Sequence, residues 1–96
     1  MKTEQIQKVL DGEAGVKNES KGAYLVGDEV ELTVLLEMGQ EPLSVARVRR
    51  LTMQGDLLTL ETHKGERVYT SAPVRALKFS TTDTNKSRGT GFTASR

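Results

Sequence analysis

Residues 28–38 read DEVELTVLLEM. Val30, Leu32, Val34, Leu36 and Met38 fall on one parity, and Glu29, Glu31, Thr33 and Glu37 on the other, with Leu35 the one apolar residue on the polar side. A period of two over nine residues, rich in β-branched side chains, specifies a half-buried strand. A strand with one buried face needs a partner strand, and the chain supplies one at once. GQEP (39–42) is turn chemistry, and LSVARVRRL (43–51) returns. With a three-residue loop at Gly39–Glu41, Leu32 faces Val48 and Val34 faces Ala46 on the inner side. Glu31 then faces Arg49 and Thr33 faces Arg47 on the outer side. Apolar pairs and acid–base pairs favour that register together. Arg50 falls out of phase, either pointing inward or sitting at a bulge, and a bulge would also bend the strand.

The same punctuation continues. MQGD (53–56) is a turn, LLTLET (57–62) a third strand with Leu58 and Leu60 inside, and HKGE (63–66) a tight hairpin turn in which Gly65 suits positive φ. RVYTS (67–71) is a fourth strand, interrupted at Pro73, which has no N–H for a ladder. RALKFS (75–80) is a short fifth. Upstream, TEQIQKVLDGEAG (3–15) predicts a short helix capped by Thr3, with Ile6, Val9 and Leu10 on one face and an end at Gly12 to Gly15. Two to three turns are marginal alone, so this helix needs a surface to dock on. VKNESKG (16–22) reads as a polar linker. From about Ser80 the chain loses periodicity and apolar content and predicts a disordered tail containing Lys86, Arg88, Arg96 and a lone Phe92.

Composition limits the function. Ninety-six residues fit one small domain with a thin core. Hydrophobic residues make up 35 %, four are aromatic and none is Trp, which argues against a deep apolar ligand pocket. The absence of Cys removes disulfides, thiolate metal sites and cysteine nucleophiles. No segment has the apolar core of a secretion signal or the ~20 apolar residues of a spanning helix, so a cytoplasmic protein without membrane partners is expected. The net charge of +1 conceals an asymmetry. Residues 1–45 carry nine acidic and four basic side chains, a net of −5. Residues 46–96 carry four acidic and ten basic, a net of +6. Such polarity suits a polyanion partner for the basic half, a self-complementary assembly, or neutralisation within one domain.

Arg47, Arg49 and Arg50, with Lys64, Arg67, Arg75 and Lys78 on following strands and turns, are the candidate nucleic-acid-binding set, because a guanidinium fork matches phosphate. The opposing reading is structural, with these cations paired to strand glutamates such as Glu29 and Glu31. Single-strand binding usually adds aromatic platforms, and Tyr69 is the clear candidate in the folded part. His63 stands alone before a turn, with no partner for acid–base work and no second His for a metal. Glu29, Glu31 and Glu37 share a strand face and read as its solvated side. No catalytic signature, cofactor motif or metal set emerges, so no enzyme, cofactor or metal is expected.

The order helix, strand, turn, strand, turn, strand, hairpin, strand, short strand over residues 30–79 resembles Sm-like proteins, small bent five-stranded barrels behind an N-terminal helix. GDLLTLET looks like that family's third strand and VYTSAPVRALKF like the meeting of its last two. The resemblance implies ring assembly through edge strands and RNA contact near loops and arginine-rich rims. TSAP stands where the family carries its basic signature, so its RNA-contacting residues are not transferred. The pattern is also similar to SH3-like barrels, and the three arginines resemble the entry of PilZ barrels. The expected architecture is mainly β: a helix and linker at 1–22, a closed five-stranded SH3-like or Sm-like barrel at 23–80, and a disordered basic tail at 81–96. The expected function is a non-catalytic adaptor contacting RNA or DNA phosphates, or a protein-interaction or self-assembly module.

Overall fold

The computed structural model describes residues 1–81, so the predicted tail, apart from Thr81, lies outside the described residues. One helix, α1 (Thr3–Gly12), precedes seven strands: β1 (Val16–Ser20), β2 (Ala23–Val26), β3 (Val30–Met38), β4 (Glu41–Gln54), β5 (Leu57–Thr62), β6 (Arg67–Thr70) and β7 (Val74–Thr81). All pairings are antiparallel. β7, β3, β4, β5 and β6 form a meander in that order. The β1–β2 hairpin joins it by pairing β2 with the second half of β4, at Leu25↔Arg50, Tyr24↔Leu51 and Ala23↔Thr52.

Two expectations are corrected here. Residues 16–20 are not a linker: they form an edge strand whose Val16, Lys17 and Asn18 pair with Val26, Leu25 and Tyr24. Their polarity reflects a strand exposed on most of its surface rather than a loop. The sheet is also not a closed five-stranded barrel but a curled half-barrel of seven strands. Among the described residues, β1, β6 and β7 each keep one unpaired edge. β6 is only four residues long, and Pro73 follows it without an N–H.

α1 fills the concave side. Ile6 and Leu10 are buried there with Tyr24, Val26, Leu32, Val34, Leu36, Val45, Val48, Leu51, Leu58, Leu60 and Val74 in one cluster. Val9, expected on the same helix face, is exposed instead. Thr3 is the first helical residue rather than the cap; the Lys2 backbone N–H donates to Gln5 Oε1 at 2.9 Å, satisfying one end group.

The β3–β4 register shows why the strand bends. The connection is two residues, not three: Met38 pairs with Glu41 across Gly39–Gln40, and Gly39 sits at φ +67°. The inner pair is therefore Val34↔Val45 rather than Val34–Ala46. One extra β4 residue at Ala46–Arg47 then restores the predicted Leu32↔Val48. A second extra residue, Arg49, separates Val48↔Thr62 from Arg50↔Glu61. With two bulges, Val45, Val48 and Leu51 all point inward at intervals of three, an arrangement that unbroken alternation cannot produce.

Candidate nucleic-acid interface

The bulges decide where the arginines go. From Val45 inward, strict alternation would send Arg47 into the core; the extra residue keeps it outside. The next bulge leaves both Arg49 and Arg50 off the core face. β7 repeats the device. Leu35↔Ala76 is followed by Leu36↔Val74, so Arg75 is the extra residue and stays exposed while Val74 is buried.

Of the seven candidate cations, three are held by glutamates. Arg50 belongs to a row running across five strands on the convex face: Lys17, Leu25, Arg50, Glu61 and Arg67. Glu19, displaced by a bulge in β1, also reaches it. Arg50 Nε lies 3.3 Å from Glu19 Oε1, Arg50 Nη1 lies 3.9 Å from Glu61 Oε1, and Arg67 Nε lies 3.8 Å from Glu61 Oε2. The Arg50 Nε atom is shut off from solvent yet has no hydrogen-bond acceptor, so its 3.3 Å approach to Glu19 is a charge contact out of line with the N–H. Both arginines of this row thus already meet carboxylates within the sheet.

Arg47 is the third. Its Nε lies 3.3 Å from Glu31 Oε2, both side chains being partly solvated. The expected facing of Glu31 and Arg49 gives way to this contact, because the Ala46–Arg47 bulge brings Arg47 over β3. Such a pair contributes ~0–1 kcal/mol and is readily exchanged for another anion. Arg49, Lys64, Arg75 and Lys78 are exposed, and none has a carboxylate at ion-pair distance among the described residues. Lys78 pairs with Thr33 on β3, and the bulge carrying Arg47 lies on the other side of Thr33. The convex surface of β7, β3 and the first half of β4 therefore carries Arg47, Arg49, Arg75 and Lys78 against Glu31 and Glu37.

Lys64 joins this surface from the β5–β6 turn. The turn is tied down by backbone bonds from Thr62 N to Glu66 O, Gly65 N to Thr62 O and His63 N to Arg47 O. Thr62 Oγ1 accepts from the Glu66 N–H at 3.2 Å. Between turn and bulge lies a recess of about 360 Å³ lined by Ala46, Arg47, Thr62, Lys64 and Glu66. Sequence reasoning missed this recess. Its available signal was the three-residue spacing of Val45, Val48 and Leu51, which demands bulges. His63 is exposed within the turn, and its backbone, not its ring, makes the contact described above. Among the described residues no three His, Asp or Glu side chains converge as a metal set. Tyr69 is the one strongly exposed aromatic side chain among them and lies on β6, two residues beyond Arg67.

Fold and surface together define a small antiparallel β half-barrel with a bulged, basic convex face. Compared with family models, curated proteins and solved structures, the chain finds no match. No helix among the described residues is long and apolar enough to cross a membrane.

Proposed function

We propose that this chain is a non-catalytic binding module that contacts the phosphates of an RNA or DNA strand through the convex face of β7, β3 and β4 and the adjoining β5–β6 turn. The observation that carries the reading is the set Arg49, Lys64, Arg75 and Lys78, for which no carboxylate among the described residues stands at ion-pair distance, whereas Arg47, Arg50 and Arg67 are paired. The first candidate set thus narrows: Arg50 and Arg67 stabilise the sheet, and the others meet the ligand. Binding by phosphate neutralisation releases counterions, so affinity falls linearly in log–log form with salt, with a slope of about −0.7 per phosphate on a single strand. Fluorescence anisotropy with a short single-stranded RNA over a salt series tests this. A slope of about −2 to −3 is expected for three or four contacts; absence of binding at low salt refutes the reading.

A second reading, a protein-interaction or self-assembly module, draws on the open edges of β1, β6 and β7. It ranks lower because β7, the longest of them, carries Arg75 at a bulge and Lys78, features that discourage edge pairing. Leu35, the apolar residue on the polar side of β3 whose cover by an oligomer would favour assembly, is already half-buried between Ser44 and Ala76. Light scattering on the protein alone separates the readings, since a stable oligomer indifferent to RNA supports assembly.

A further inference from the structure

Arg47 has φ +56°, the one non-glycine residue among the described residues in the left-handed region. That conformation pushes Cβ against the backbone, and bulges that use it normally place glycine there. Every other described residue with positive φ is a glycine: Gly15, Gly22, Gly39, Gly55 and Gly65. Arginine at position 47 therefore runs against local backbone preference, and the Glu31 contact, an exposed pair, is too weak to account for it. Strain of this kind is kept where the side chain has a use.

Arg47 lines the recess between bulge and turn, as does Lys64. Thr62, 94 % buried, lines the same recess; its Oγ1 accepts from the Glu66 N–H and keeps its own proton to donate. Two cations and the Glu66 carboxylate give this lining a net charge of +1. We propose that the recess seats one phosphodiester of the bound strand, clamped by Arg47 and Lys64, with the Glu31 carboxylate as the intramolecular anion that the phosphate displaces. This deepens the function proposed above and rests on it. A diester, with one negative charge, matches the lining better than a dianionic monoester. The bulge supplies the aim: counted from the buried Val45 by strict alternation, position 47 would face the core.

The test combines binding and stability. Anisotropy with a short single-stranded RNA at low salt is measured for the full chain, for Arg47→Gly, Arg47→Ala, Lys64→Ala and Glu31→Gln, and for Lys17→Ala on β1 as a charge control away from the recess. Arg47→Gly and Lys64→Ala are expected to weaken binding about tenfold and to lower the salt slope by about 0.7, against about twofold or less for Lys17→Ala. Glu31→Gln is expected to tighten binding about two- to fivefold. In thermal unfolding, Arg47→Gly is expected to melt several degrees above Arg47→Ala, the reverse of the usual order of these residues in a strand. If the unaltered chain fails to bind, the proposed function falls and this inference with it. If it binds, and Arg47→Gly and Lys64→Ala lose no more than Lys17→Ala, the function stands and the clamp is overturned. Looser or unchanged binding by Glu31→Gln overturns the displacement, and an Arg47→Ala that melts above Arg47→Gly removes the strain on which the argument begins.

Discussion

Alanine substitution at two glycines isolates backbone strain from steric collision. Gly22 and Gly39 both occupy positive φ, at +77° and +67°, and both sit in two-residue hairpin turns. An alanine in either suffers the left-handed penalty of about 1 kcal/mol. Their surroundings differ. A Cβ at Gly39 meets nothing within 4 Å, whereas a Cβ at Gly22 falls 2.5 Å from the Met53 carbonyl oxygen. That oxygen belongs to backbone pinned from two sides: Met53 N donates to Gly22 O at 2.7 Å, and Met53 pairs with Leu58 on β5. The overlap is relieved only by moving the β1–β2 hairpin off β4, which loses that hydrogen bond, worth about 1 kcal/mol, and loosens the packing of Tyr24 on Leu51. Gly39→Ala should therefore cost about 1 kcal/mol and Gly22→Ala about 3 kcal/mol. At about 4–8 °C per kcal/mol for a domain of this size, the melting temperatures separate by roughly 8–16 °C. Far-UV circular dichroism on the two variants and the parent measures this. Equal shifts would show that the hairpin approaches β4 less closely than described and would refute the steric argument.

Other perturbations follow from burial and charge. Leu60, with no exposed surface in the middle of the β4–β5–β6 layer, should cost ~2–5 kcal/mol on truncation to Ala; Leu57 on the same strand, exposed, should cost under ~1 kcal/mol, and urea unfolding compares them. Tyr24 is buried, and its phenol pKa is raised above 10.0 first by desolvation and then by the neighbouring Asp11 carboxylate. A folded-state pKa above the unfolded value gives stability that is fully present below about pH 10 and lost as pH rises through the folded pKa. Thermal melts from pH 8 upward should show that decline, and Tyr24→Phe should flatten it.

Much of the architecture was legible along the chain. The period-two run of β3, the inward Leu58 and Leu60, the turn at Gly65 and the docking of Ile6 and Leu10 all follow from local chemistry, since a side chain's parity is set by its own strand. The β1 strand was not legible, because an exposed edge strand needs few apolar residues and VKNES has the composition of a loop. The Leu32–Val48 pair was anticipated through two errors that cancel: a turn one residue too long and a missing bulge. Of the seven candidate cations, six are exposed and Arg50 is half-buried; the phase break at Arg50 was legible, but which cations meet a glutamate was not. Glu19 reaches Arg50 from a strand that the sequence presents as a linker, and Glu31 reaches Arg47 only because of a bulge.

By itself, the sequence determined a small β-rich chain with an amphipathic helix in front, its turns, and a basic second half. It did so because alternation, glycine and proline act over a few residues. The tertiary structure alone decided that the sheet stays open, that the β1–β2 hairpin extends it, and that Arg50 and Arg67 meet glutamates while Arg49, Lys64, Arg75 and Lys78 meet no carboxylate among the described residues. Those outcomes depend on which strands become neighbours and on single extra residues that shift register, and both are properties of paired strands rather than of any one segment.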